Sequence, residues 1–112
     1  MITVKDIINK PIAVSTDDAK KIQKEIENLI NKNEKIEVSF ENISMLISHF
    51  LNVSIGELYP IYKDKWDILD NINFIGINID DLELLKTRII PSFKNTLTDK
   101  EKFKNIQEDI LK

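Results

Sequence analysis

Hydrophobic residues repeat at two spacings along the chain, and the two spacings alternate. Apolar residues three or four positions apart predict amphipathic helices beginning near residues 15, 48, 78 and 98. Short β-branched or alternating runs between them predict strands. Strands that alternate with helices imply βαβ crossovers. The pattern predicts an α/β fold: a small mixed, mainly parallel sheet of about four strands flanked by helices, with an amphipathic helix at the C-terminus.

The first elements are defined by short runs. Two β-branched runs, 2–4 and 12–14, are expected to be brief strands joined as a hairpin around residues 9–11. Ser15 or Thr16 is expected to cap the helix that follows, because these side chains accept hydrogen bonds from free backbone amides.

Glycine and proline divide the second half of the chain. Gly56 lies inside a predicted helix, which favours close packing against a neighbour. Pro60 is expected to end or kink that helix, and Pro91 is expected to kink or break a later one. Ser48 stands where that first helix begins and is a good N-cap by residue type.

The length of 112 residues allows a single domain with one core. We assign residues 1–97 to this domain. Residues 98–112 are predicted to form a separate amphipathic helix with an apolar stripe of Phe103, Ile106 and Ile110. This helix is expected either to pack on the domain or to serve in a homodimer.

The charge balance limits the partners. Sixteen basic and nineteen acidic residues give a net charge of −3. We therefore expect neither a nucleic-acid partner nor an anionic membrane surface. The sequence lacks an apolar stretch of membrane-spanning length and a hydrophobic signal core. A cytoplasmic protein without membrane association is the expectation.

The residues that carry most enzyme chemistry are scarce. The chain has no cysteine and one histidine, His49, which directly follows Ser48. Adjacent residues on a helix do not face each other, so these two do not form a nucleophile and base pair. The acidic pairs at 17–18 and 80–81 stand at predicted helix starts, where they complement the dipole. We expect a non-enzymatic protein with no catalytic residue, metal site or cofactor.

One segment carries a resemblance. Residues 36–59 read as a strand, a turn, and a helix in which a serine and an aromatic residue precede the pattern LN…IG.LY. This segment resembles the STAS-like domain family of small bacterial proteins. Residues 11–16 look like the entry to the family's first helix, and residues 80–86 look like its later helix start. The resemblance covers most of residues 2–95.

The resemblance implies a function. The family is related to STAS domains such as the anti-sigma factor antagonists, in which a GHKL-type ATP-binding kinase phosphorylates a serine at the start of the second helix and is thereby released. The matching residue is Ser48. The resemblance implies a partner-binding surface of Ser48, His49, Phe50 and Asn52. Ile47 stands where the antagonists usually have an aspartate before that serine.

Three functions are therefore weighed. The leading one is a protein-interaction module that switches partners when Ser48 is phosphorylated. The first alternative is an unregulated scaffold or inhibitor protein, of mobile-element origin, for which Ser48→Ala and Ser48→Glu bind a partner equally well. The second is a small-ligand or nucleotide sensor, for which a nucleotide raises the melting temperature.

Overall fold

The computed structural model describes residues 1–95. The helix expected at 98–112, and its assigned role, lie outside these residues, and the domain limit at residue 97 stays a prediction. The strands are β1 (Ile2–Thr3), β2 (Ile12–Ala13), β3 (Glu37–Ser39), β4 (Met45–Leu46) and β5 (Asn73–Ile75). The helices are α1 (Val4–Ile8), α2 (Thr16–Asn31), α3 (Ser48–Leu51), α4 (Leu58–Ile61), α5 (Trp66–Asp70) and α6 (Ile79–Leu84).

Shorter helical segments connect these elements. A π-helical turn at Asn52–Gly56 follows α3, and another at Leu85–Ile89 follows α6. A 3-10 turn at Lys63–Lys65 precedes α5, and residues 90–95 are helical again. Pro60 lies in α4, which ends one residue later, as expected. Pro91 does not break its helix, since residues 90–95 are helical on both sides of it. The departure from regular α-helix lies just before it, in the π turn at Leu85–Ile89.

All strand pairs within the described residues are parallel, which confirms the α/β prediction. Strands β1, β3 and β5 form a three-stranded sheet in that order. Ile2 lies beside Val38, and Val38 lies beside Phe74. Strands β2 and β4 form a separate pair, with Ile12 beside Met45. The described residues thus hold five strands in two sheets, where one sheet of about four was predicted.

The hairpin expected between the first two strands is wrong. The chain turns into helix α1 directly after β1 because Val4 and Ile8, four positions apart, are both buried against the core. Asn9 ends α1 in the left-handed conformation, with a φ of 59°. The chain then enters β2, which pairs with β4 rather than with β1. The two β-branched runs are therefore neighbours in sequence only.

Helix α2 forms as its sequence predicts. Ser15 is its N-cap, and its hydroxyl accepts a hydrogen bond from the Asp18 amide at 3.1 Å. Ile22, Ile26 and Ile30 recur every four residues and are buried, so α2 covers the core with one face.

The aromatic residues of α4 and α5 hold the core together. Tyr59 is fully buried, and its hydroxyl donates to Asp70 Oδ1 at 2.8 Å. Trp66 Nε1 donates to the Tyr59 carbonyl at 2.8 Å, and Lys94 Nζ lies 2.9 Å from Asp70 Oδ2 and 4.9 Å from the Trp66 ring centre. Burial raises the pKa of Tyr59, and its bond to Asp70 raises it further. These aromatics thus join α4, α5 and the helical segment 90–95.

Candidate functional site

Two strand-to-helix connections lie side by side on one edge of the molecule. Strands β2 and β4 are parallel neighbours, so their carboxyl ends reach the same edge. Helix α2 begins at Thr16, just after β2, and helix α3 begins at Ser48, just after β4. The Thr16 Oγ1 and His49 Nε2 atoms are 2.9 Å apart, so a hydrogen bond joins the two helix starts.

Ser48 is exposed, but it is not the cap of its helix. The N-cap is Ile47, whose backbone is extended with a φ of −107° and a ψ of 156°, and no side chain caps α3. Ser48 is the first helical residue instead. The sequence prediction of Ser48 as N-cap is therefore wrong by one residue, because the extended path of β4 continues one residue further.

The other three predicted site residues differ in exposure. His49 is exposed and bonded to Thr16, and Asn52 is half-buried one turn beyond Ser48. Phe50 is fully buried in the core, so its side chain is not available for contact with a partner in this structure. The structure thus brings Ser48, His49 and Asn52 to one helix start and places Phe50 beneath them.

The two chain segments that meet at this edge contain no formally charged residue. Residues 11–16 and 42–56 contain no Asp, Glu, Lys or Arg, although 31% of the chain is charged. The β2–β4 pairing joins the two segments, and so does the Thr16–His49 bond. We call their exposed side chains the neutral surface: Pro11, Ile12, Thr16, Asn42, Ser44, Met45, Ile47, Ser48 and His49.

Three large apolar side chains lie on this neutral surface. Ile12 and Met45 are cross-strand neighbours and therefore point to the same side of the β2–β4 pair. Ile47 is two residues beyond Met45 and points the same way. Ile12 and Ile47 are each 39% exposed, and Met45 is 54% exposed. We call these three residues the apolar triad.

Hydrogen bonds from neighbouring elements hold the neutral surface in place. The Ser44 hydroxyl donates to the Pro11 carbonyl at 3.2 Å. Beneath the surface, Gln23 Nε2 on α2 donates to the Val53 carbonyl in the π turn at 2.6 Å. The buried Ser54 hydroxyl donates to the Phe50 carbonyl at 2.7 Å. Helix α2 therefore positions α3 and the turn that follows it.

Charged residues stand at the border of the surface. Asp18, in the first turn of α2, is buried, and its Oδ2 lies 2.8 Å from Lys10 Nζ. Lys21 Nζ lies 3.5 Å from Oδ1. The Lys10 contact lowers the pKa of Asp18, while burial opposes that shift. This carboxylate contacts two lysines of the same chain and lies in the first turn of α2, where the sequence places the acidic pair.

Other parts of the described chain give less support for a ligand site. An open cleft of about 750 Å³ at the amino ends of β3 and β5 is lined by exposed polar residues such as Glu34, Asp67 and Asn71. Helix α3, in contrast, follows the carboxyl end of β4. Within residues 1–95, no group of three histidine, cysteine or acidic side chains is arranged to hold a metal ion. No helix in that range has the length and apolar character needed to cross a membrane.

The parallel strands, and the exposed start of α3 beside the end of β4, show which class of protein this is. It is an α/β domain of parallel strands with a helix start exposed beside a strand end. A family model for the STAS-like domain of unknown function (DUF4325) matches residues 18–82. The chain belongs to this family, which confirms the resemblance. Neither the curated proteins nor the solved structures contain a match to the chain.

Sequence reasoning missed two features of this site. The sequence indicates Thr16 only as a cap, because nothing local shows that it meets His49, 33 positions away. The sequence does not indicate strand β4, since two residues are too few to show a period. The absence of charge from residues 11–16 and 42–56 was visible in the sequence. This lack of charge would have indicated each segment of the neutral surface, but only the structure shows that the two segments lie together.

Proposed function

We propose that this bacterial, cytoplasmic protein is a non-enzymatic interaction module that works by partner switching. The end of the neutral surface at Ser48 and His49, together with the neighbouring Asn52, binds a GHKL-type ATP-binding protein. Phosphorylation of Ser48 by that partner releases the module. The choice of partner rests on the kinship between STAS-like domains and the anti-sigma factor antagonists.

One observation carries this proposal: Ser48 is exposed on the neutral surface, whose two segments, residues 11–16 and 42–56, contain no formally charged residue. A kinase reaches an exposed hydroxyl without unfolding the helix. The phosphoryl group adds about −1.5 to −2 charges. On an uncharged surface, no arginine or lysine of the same segments neutralises it. Burying that charge against a partner is costly, so phosphorylation opposes docking.

The position of His49 supports the same surface. Its bond to Thr16 ties the start of α3 to the start of α2, so the two helices present Ser48 from a fixed place. A partner that docks here meets a preformed surface and loses less conformational entropy on binding.

The first experiment identifies the partner. The tagged full chain is used as bait in native cells, and the bound proteins are identified by mass spectrometry. Recovery of a GHKL-type ATP-binding protein is expected. The purified pair is then incubated with ATP, and the modified residue is mapped. Phosphate on Ser48 is the expected result, whereas an unmodified chain contradicts the switch.

The second experiment measures affinity of the purified partner for variants. Ser48→Glu is expected to raise the dissociation constant at least about tenfold, which corresponds to roughly 1.4 kcal/mol. Ser48→Ala is expected to bind like the wild type. Ser92→Glu is the matched control, because Ser92 is exposed on the helical segment 90–95, outside the neutral surface. Equal binding by Ser48→Ala and Ser48→Glu would favour the unregulated scaffold instead.

A further inference from the structure

The apolar triad is a surface that the proposed function does not use. Ile12, Met45 and Ile47 point to one side of the β2–β4 pair and are 39%, 54% and 39% exposed. Contiguous exposed apolar side chains of this kind mark contact surfaces, and methionine is enriched in such contacts. We propose that two copies of this chain associate face to face through the apolar triad. This inference does not depend on the phosphorylation of Ser48.

The main chain of β2 offers a second contribution. The Pro11 carbonyl accepts from β4, and the Ala13 carbonyl accepts from Ile47, so both point toward β4. In an extended strand, the N–H and C=O of Ile12 then point to the opposite side. Within residues 1–95, no backbone group bonds to them outside the β2–β4 ladder. This edge lies beside the triad and can pair with the same edge of a second copy.

Charge is the reason for choosing a second copy as the occupant. Each chain carries a net charge of −3, so most faces of two copies repel or must desolvate charges on contact. The neutral surface is free of that cost because residues 11–16 and 42–56 hold no formal charge. A two-fold interface also places the same patch on both sides, and a patch of only apolar and neutral groups complements itself.

A comparison within the chain supports this choice. Ile61 is 57% exposed, which is similar to Met45, but Lys63, Asp64 and Lys65 follow it closely. Ile61 is therefore a single exposed side chain beside charges, which needs no explanation. It also provides a matched control for substitutions at Met45.

The test is the mass of the purified full chain in solution, measured by sedimentation over a range of concentrations. The wild type is expected to dimerise with increasing concentration. Met45→Lys brings two like charges together across the two-fold axis, so it is expected to raise the dissociation constant of the dimer at least about tenfold. Ile61→Lys is expected to leave it unchanged. Melting curves check that both variants are folded.

A second measurement covers the case in which Met45→Lys fails to fold. The chain has no cysteine, so Met45→Cys introduces a single thiol. Under mild oxidation it is expected to form a disulfide-linked dimer much faster than Ile61→Cys. A wild type that stays monomeric at all concentrations overturns the proposal, and so do equal cross-linking rates. The proposal is also overturned if Ile106→Lys dissociates the dimer while Met45→Lys leaves it intact, because residues 98–112 would then hold the two copies together.

Discussion

Asp18 is a buried charged residue at the border of the neutral surface. Its carboxylate is buried at the start of α2, beside Lys10 and Lys21. The pKa of Asp18 lies below its ordinary value of 3.8, chiefly because of Lys10. A lowered pKa in the folded state means that the folded state favours the charged form. This contribution to stability is present above the unfolded pKa and is lost as pH falls through the folded pKa.

We predict that Asp18→Asn lowers the free energy of unfolding at neutral pH. The expected loss is about 1–2 kcal/mol, because the substitution removes the charge-assisted contact with Lys10. The loss is no larger because solvent around the half-exposed Lys10 weakens that contact in the wild type. Because the wild type loses the same contribution in acid, the difference should shrink once the pH falls below about 3.8. Urea unfolding at several pH values measures both effects.

Asp17→Asn is the control for this prediction. Asp17 is exposed in the same turn of α2, so the substitution removes the same formal charge near the same helix end. Its effect should be below about 1 kcal/mol, which is the range of dipole interactions at the surface. If the two variants lose equal stability, the ion pair with Lys10 contributes nothing beyond the dipole.

At the scale of elements, the π turn at Asn52–Gly56 is packed between two helices. Gln23 on α2 bonds to it from one side, through the Val53 carbonyl. From another side, the ring of Phe93 in the segment 90–95 lies directly against Gly56. A Cβ at Gly56 would overlap this ring, so the glycine is needed for the close approach, as the sequence predicted. The turn after α3 is thus fixed by helix packing.

We predict that Gly56→Ala lowers the free energy of unfolding by about 1–3 kcal/mol, the usual cost of overpacking. The methyl group must displace the Phe93 ring, and with it the segment 90–95. Phe93→Leu in the Gly56→Ala background should recover part of the loss, because the smaller side chain makes room. A double-mutant cycle measures this coupling. Strictly additive losses, with no recovery, would contradict the proposed contact.

At the scale of the whole molecule, one core connects both sheets. Ala13 in β2, Val38 in β3 and Phe50 in α3 are all fully buried members of the same apolar cluster. The short strand pair β2–β4, which carries the neutral surface, would be marginal by itself. Its stability therefore comes from the packing of its neighbours against the rest of the core.

We predict that the described domain unfolds as one unit. The fluorescence of Trp66, the only tryptophan, should change with the same urea midpoint as the NMR amide signals of Ala13 and Val38. Val38→Ala should shift all three midpoints together, by about 1–3 kcal/mol in the free energy of unfolding. An earlier transition at Ala13 alone would show that the β2–β4 pair opens separately from the three-stranded sheet.

The sequence by itself determined helices α2 and α6 and the α/β class. These follow from local rules, since Ile22, Ile26 and Ile30 lie on one helix face by spacing and the Ser15 side chain caps over three residues. The position of Ser48 at a helix start was predicted to within one residue. The family was identified from the segment at 36–59, and the family model confirms it.

Only the tertiary structure decided which strands pair and which side chains form the surface. Strands of two or three residues are too short to specify a partner. The hydrophobic pattern alone therefore could not exclude a hairpin between β1 and β2, which have two residues each. The contact of Thr16 with His49, and the burial of Phe50, depend on how α2 packs against α3. Such contacts join residues distant in sequence, and local spacing carries no information about them.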